Sequence, residues 1–84
     1  MEEYVKQIRT ISGEIWLVFK GAMASWKPED EKWWEELISL ADNAIIKYKG
    51  TIYYGYAKDY ANIVMNEIER KSKREKNEKE TAGQ

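Results

Sequence analysis

The residues best suited to bind a ligand are four tyrosines and a lysine that lie close together in the chain: Tyr53, Tyr54, Tyr56, Lys58 and Tyr60. Aromatic rings stack on nucleobases, and a lysine ammonium can meet a phosphate as a point charge. These residues therefore form a candidate site for a nucleotide-like ligand. The alternative is that Tyr56 and Tyr60 are core or interface residues whose hydroxyls reach water.

An acidic cluster is the second candidate, formed by Glu29, Asp30, Glu31, Glu35 and Glu36. Paired carboxylates could serve acid–base chemistry or hold a divalent metal if they faced inward and were partly buried. The interpretation we favour is electrostatic, because acids stabilise the positive N-terminal end of a helix and otherwise face solvent. A third interpretation is that these acids contact a basic protein surface.

A basic cluster near the end of the chain could touch phosphates, but acids are interleaved with it and dilute its field. Its members are Lys71, Lys73, Arg74, Lys76 and Lys79, with Glu75, Glu78 and Glu80 among them. We therefore interpret this segment as a solvated tail.

Composition excludes much chemistry. The chain has no cysteine and no histidine, so thiolate catalysis, the common zinc sites and the commonest general base are missing. No glycine-rich phosphate loop is present. We therefore expect no enzyme, no cofactor and no metal. The net charge of −1 gives no strong field for polymeric nucleic acid or an anionic membrane. An acidic N-terminus and only a short apolar run fit neither a signal peptide nor a membrane span, so we expect a cytoplasmic protein.

The stretch that must organise the fold is the run of large apolar residues at 15–19, between Gly13 and Gly21. Successive helical residues turn by about 100°, so such a run points all around the helix and needs cover on several sides. That cover comes from the centre of a helical bundle or from a contact between subunits. Apolar residues at alternating three- and four-residue steps place the run in a first helix over residues 2–24.

Two further helices are predicted, over residues 28–49 and 52–70. Pro28 suits a first helical position, Gly50 suits a C-terminal cap, and Thr51 can cap the third helix. Residues 71–84 have no large apolar side chain, so we expect a frayed helix end and a disordered, charged tail. The sequence thus predicts an all-α fold: one domain, residues 1–70, forming a three-helix up-down-up bundle.

Four large apolar side chains exceed what one shared core can cover: Trp16, Met23, Trp33 and Trp34. Trp16 and Met23 lie off the apolar seam of the first helix. Trp33 and Trp34 are adjacent, so one should be core and the other exposed or in an interface. Soluble monomers seldom expose large apolar patches, so we expect these residues to contact a partner, most simply a second copy in a dimer or a small ring.

Three blocks of the sequence carry a resemblance: residues 15–20; residues 33–38 with 41–42 and 47–49; and residues 57–59 with 66–71. Together they resemble small uncharacterised proteins encoded in prophages and mobile elements of Gram-positive bacteria. That family has no assigned activity, so the resemblance gives no functional residue. It implies an accessory, phage-like gene product in a bacterial host cell, and such small proteins often act by binding, for instance to block a host defence.

These observations lead to three functional hypotheses. The first is a non-catalytic, self-associating helical protein that sequesters a nucleotide-like signalling ligand as an anti-defence factor. The second is a protein-binding inhibitor that docks the acidic face at residues 29–36, with Trp33 or Trp34, on a host defence protein. The third is a structural oligomerisation module.

Overall fold

The computed structural model describes residues 1–82, and describes the side chains of residues 1–78. Its elements are the helices α1 (Glu2–Ala24), α2 (Glu31–Ile46) and α3 (Tyr54–Ala82), and each packs against the other two. No strand occurs within residues 1–82. Short connections reverse the chain twice, so α1 and α3 run parallel to each other and antiparallel to α2. The predicted all-α, three-helix up-down-up bundle is confirmed.

The second helix begins at Glu31, three residues later than the predicted start at Pro28. The Asp30 backbone is extended and its carboxylate accepts a hydrogen bond from the Lys32 backbone N–H at 2.9 Å, so Asp30 is the N-cap. Pro28 lies instead in a turn, in which the Asp30 N–H donates to the Lys27 carbonyl at 3.0 Å. The aspartate cap, rather than the proline, sets the start of the helix.

The second helix ends at Ile46, and residues 47–49 form a tighter turn before Gly50. Gly50 has a φ of +86°, a conformation that favours glycine and lets the chain leave the helix. Thr51 accepts a hydrogen bond from the Tyr53 N–H at 3.1 Å, as a capping side chain does. The third helix therefore starts at Tyr54, two residues after the predicted start.

The third helix continues to Ala82, about three turns beyond the predicted end at residue 70. Its charged segment pairs along the helix, with Arg70 bound to Glu67 at 2.9 Å and Lys71 bound to Glu75. Lys71 and Glu75 also contact Trp26 in the first connection. The predicted tail over residues 71–84 thus includes a helical part, and residues 83–84 lie outside the described residues.

The core consists of two clusters stacked along the bundle, and Val64 packs against both. Their buried members are Ile11, Ile15, Ala57 and Ala61 towards the start of α1, and Ala22, Trp33, Leu37 and Ile68 towards its end. Alanines supply much of the first cluster, which allows α1 and α3 to approach closely there. In the part of the chain that the structure describes, no helix is both long and apolar enough for a membrane span.

Candidate functional site

The structure divides the predicted tyrosine–lysine cluster between two sides of α3. On one side, the Tyr56 hydroxyl is hydrogen-bonded to the Ser12 hydroxyl of α1, and the Tyr56 ring lies 5.9 Å from the Tyr60 ring. On the other side, the Lys58 ammonium lies 5.2 Å from the centre of the Tyr54 ring. Lys58 is about 200° around the helix from Tyr56, because each residue turns by about 100°. The cluster therefore does not converge on one ligand position.

The tyrosines on the α1 side pack against protein. Tyr53, Tyr56 and Tyr60 are half-buried and pack against the first core cluster, and the Tyr53 ring lies 6.0 Å from the Tyr4 ring. Tyr56 and Tyr60 therefore lie at the margin of the core, with the Tyr56 hydroxyl bonded to Ser12. On the other side of α3 remain Tyr54, which is also half-buried, and Lys58, which is exposed.

A polar contact joins α1 to the end of α2 beside these tyrosines. Glu14 accepts a hydrogen bond from the Tyr48 hydroxyl at 2.8 Å and lies 2.6 Å from the Lys47 ammonium. Partial burial tends to raise the pKa of Glu14, but the hydrogen bonds from Lys47 and Tyr48 and the charge of Lys47 outweigh it, so that pKa is lowered. Burial and the Glu14 carboxylate raise the pKa of Tyr48 to about 12. This contact ties α1 to the turn that follows α2.

At the opposite end, three tryptophans form what we call the tryptophan end, made of Trp26, Trp33 and Trp34 with Lys71 and Glu75. The Trp33 ring meets Trp26 and Trp34 edge to face, at 5.0 and 4.9 Å between ring centres. The Trp26 indole N–H donates to Glu75 at 2.7 Å, and the Lys71 ammonium lies 4.8 Å from the centre of the Trp26 ring. The Trp34 indole donates to the Pro28 carbonyl at 2.8 Å. The indole N–H groups of Trp26 and Trp34 thus both have hydrogen-bond acceptors within the protein.

The predicted interface residues have different fates. Trp33 is 7% exposed and belongs to the second core cluster, so it is the core member of the adjacent pair. Trp34 and Met23 are half-buried and pack against that cluster. Trp16 alone among the four is exposed, with half of its surface in solvent.

Trp16 belongs to an exposed face of α1 that we call the α1 outer face, and it lies at one edge of that face. The face is formed by Gly13, Trp16, Leu17, Lys20, Gly21 and Ala24. Leu17 borders it on the other side and is 65% exposed. Gly13, Lys20 and Ala24 fall between these two on the helix, and Gly21 adjoins Leu17. A methyl group added at Gly13 or Gly21 would meet no neighbouring atom within 4 Å. The described chain therefore leaves this face open and does not itself require glycine there.

The acidic cluster at residues 29–36 is exposed, and Asp30 acts as the helix cap described above. Within residues 1–78, no three acidic side chains come together as a metal site would need. The predicted carboxylate pair for acid–base work would need an inward-facing position, and the exposed side chains of this cluster do not provide one.

Sequence reasoning missed two groups of residues. Leu17 was visible as part of the run at 15–19, but its exposure follows only from the position of the core seam. Lys71 and Glu75 have the four-residue spacing of a helical ion pair, which could have indicated a helix continuing past residue 70. Their contact with Trp26 joins segments about half the chain apart, and no local pattern indicates it.

No protein-family model matches this chain, and no curated protein or solved structure is significantly similar to it. The resemblance to phage-encoded proteins therefore stays a prediction.

Proposed function

We propose that this chain is a non-catalytic helical binding protein that works as a homo-oligomer, with the α1 outer face as the contact between copies. One observation carries the proposal. Within the apolar run at 15–19, Ile15 is buried, whereas Trp16 is 50% and Leu17 is 65% exposed. Two large apolar neighbours in water, beside two helical glycines, form a surface suited to another helix.

Physical chemistry favours covering this surface. Removing apolar area from water gains about 25 cal/mol per Å², before the cost of association is subtracted. A two-fold axis would bring the same face of each copy together, so that every residue contributes twice. Gly13 and Gly21 have no side chain to hold the partner away, so the backbone of a second α1 helix could approach closely. Tryptophan is also the residue type most often found at the energetic centre of protein interfaces.

The test is the mass in solution, measured by light scattering coupled to gel filtration over a range of protein concentrations. We expect the wild type to be a dimer or larger at micromolar concentration. Trp16→Glu and Leu17→Glu should each shift it to monomer. Ile52→Glu is the matched control, because Ile52 is 81% exposed and lies in the connection before α3. A wild type that stays monomeric, or a control that dissociates equally, would contradict the proposal.

A second candidate, sequestration of a nucleotide-like ligand, has one observation in its favour. The Lys58 ammonium lies near the Tyr54 ring, so a cation for a phosphate and an aromatic ring for a base occur side by side. Native mass spectrometry of protein purified from host-cell lysate tests this candidate. A retained nucleotide that Lys58→Ala removes would favour it. An anti-defence role and a cytoplasmic location remain predictions, supported only by the resemblance and the composition.

A further inference from the structure

A groove runs between α2 and α3, on the side of the bundle away from α1. It encloses about 280 Å³, and its lining includes Ala41, Ala61, Ile38, Met65, Asp42 and Glu69. The two alanines are buried, at 9% and 6% exposure, and form the floor. Ile38 on α2 is 49% exposed, and Met65 on α3 is half-buried. Two small buried residues thus line the groove between a large apolar side chain on each helix.

The edges of the groove carry negative charge. Asp42 lies on α2 and Glu69 on α3, and both are exposed. Neither carboxylate forms an ion pair with another described residue, in contrast to Glu67 and Glu75 on the same helix. No lysine or arginine is among the described residues that line the groove. The edges thus offer two unneutralised carboxylates, one on each helix.

We propose that this groove binds a basic amphipathic helix of another protein. The occupant's large apolar side chains would face the floor at Ala41 and Ala61 and pack between Ile38 and Met65. Lysine or arginine on the flanks of that helix would meet Asp42 on one edge and Glu69 on the other.

The geometry favours a helix over an extended segment. Two neighbouring helices present ridges and a groove that a further helix can fill, as in four-helix bundles. An amphipathic helix lays apolar anchors, spaced three and four residues apart, into such a groove. No exposed strand edge exists in the described residues to pair with an extended peptide.

The negative charge at the edges of the groove favours a positively charged partner. Carboxylates on both edges attract a helix with cations on both flanks and repel one with acids there. The surface is distinct from the α1 outer face, so the partner and a second copy of this chain would not compete. The inference therefore does not depend on self-association.

A direct test uses fluorescence anisotropy with a labelled peptide of leucine and lysine in a helical repeat. The matched probe replaces every lysine by glutamate. We expect the basic peptide to bind the wild type, more weakly as salt rises, and the acidic peptide not to bind. The double variant Asp42→Lys/Glu69→Lys should weaken binding by about tenfold or more.

Two controls separate the groove from general effects. Asp59→Lys/Glu78→Lys makes the same change in net charge at exposed positions outside the groove lining. Ile38→Ser removes a wall of the groove, and Ile63→Ser removes an isoleucine that is 65% exposed and lies outside the lining. Only the groove variants should lose binding, with helical circular dichroism unchanged. Failure of the wild type to bind the basic peptide, or equal losses in both double variants, would overturn the proposal.

Discussion

The tryptophan end and the α1 outer face differ in how far the rest of the protein covers their tryptophan side chains. At the tryptophan end, Trp33 is buried, and Trp26 is held by a hydrogen bond to Glu75 and by the cation of Lys71. On the α1 outer face, Trp16 contacts the ring of Phe19 at 5.1 Å between ring centres, yet half of its surface stays in solvent.

The difference comes from the reach of α3. Because α3 continues past residue 70, its residues Lys71 and Glu75 contact Trp26 in the first connection, and Trp26 in turn packs edge to face on Trp33. The α1 outer face borders α2 only at Gly21, and the described residues leave Trp16 50% and Leu17 65% exposed. At the tryptophan end, a later segment of the chain therefore packs against the tryptophan side chains. On the α1 outer face no later segment of the described chain does so, and Trp16 remains available to a partner.

The largest expected effect comes from removing the aromatic ring in each region. Trp33→Ala should lower the free energy of unfolding by about 3–5 kcal/mol, because it leaves a cavity in the second core cluster. Trp16→Ala should cost a monomer well under half of that, since its ring is half in water already. Urea unfolding at low protein concentration, where association is minimal, measures both. Equal losses would show that Trp16 is as much a part of the core as Trp33.

The next effect tests whether α3 closes the tryptophan end. A chain ending at Arg70 lacks Lys71 and Glu75, and so loses a hydrogen bond to a charged group and a cation–π contact, which together are worth about 2 kcal/mol. A chain ending at Glu78 keeps both and should unfold at nearly the wild-type midpoint. Thermal unfolding by circular dichroism distinguishes the two. An unchanged midpoint for the shorter chain would mean that the segment after Arg70 is dispensable, as the predicted tail implied.

A smaller effect, of opposite sign for folding and association, is expected at the glycines of the α1 outer face. Gly13→Ala and Gly21→Ala should each stabilise the monomer by about 0.5–1 kcal/mol, because glycine is unfavourable inside a helix and the added methyl meets nothing. If a second α1 helix approaches there, the same substitutions should weaken self-association. Unfolding at low concentration and light scattering at high concentration measure the two effects separately. Stronger self-association in both variants would contradict close approach.

The smallest effect concerns the hydrogen bond from the Tyr48 hydroxyl to the Glu14 carboxylate, away from the tryptophan end. The pKa of Glu14 is lowered, so its contribution is present above its unfolded value of 4.5 and is lost as the pH falls through the folded pKa. The pKa of Tyr48 is raised, so its contribution is present below pH 10 and is lost as the pH rises towards 12.

Two single variants check these windows by urea unfolding over a series of pH values. The difference in unfolding free energy between wild type and Glu14→Gln should shrink as the pH falls below 4.5. The difference between wild type and Tyr48→Phe should shrink between pH 10 and 12. Differences that stay constant across both windows would show that the contact contributes nothing that depends on ionisation.

Much of the fold could be predicted from local patterns. The three helices follow from apolar periodicity and from Pro28, Gly50 and Thr51, which mark the breaks between helices. The errors lie at helix ends, where one capping side chain decides the boundary. Asp30 moved the start of α2, and the contacts of Lys71 and Glu75 with Trp26 accompany the longer α3. The segment after residue 70 has no large apolar residue and is predicted to be a frayed helix end and a disordered tail; the structure continues α3 through it as far as Ala82.

The candidate sites were harder to predict, because closeness in sequence is not closeness in space. Tyr56 and Lys58 are two residues apart and lie on opposite sides of α3. Conversely, Asp42 and Glu69 are far apart in sequence and edge the same groove. Helical periodicity could have separated the first pair, but the second requires knowing how α2 and α3 pack.

The hydrogen bond between Trp26 and Glu75 also has a consequence for the order of folding during synthesis. The two residues are 49 positions apart, and the Ser12–Tyr56 contact joins residues 44 apart, so the contacts of α3 with α1 and with the first connection close some of the longest loops among the described residues. Loop-closure entropy makes such contacts slower to form than those between successive helices. On the ribosome, α1 and α2 can pair first, but the indole of Trp26 must wait until residue 75 has been made. Until then the tryptophan end is open, and a nascent chain would expose the aromatic surface that the finished protein covers.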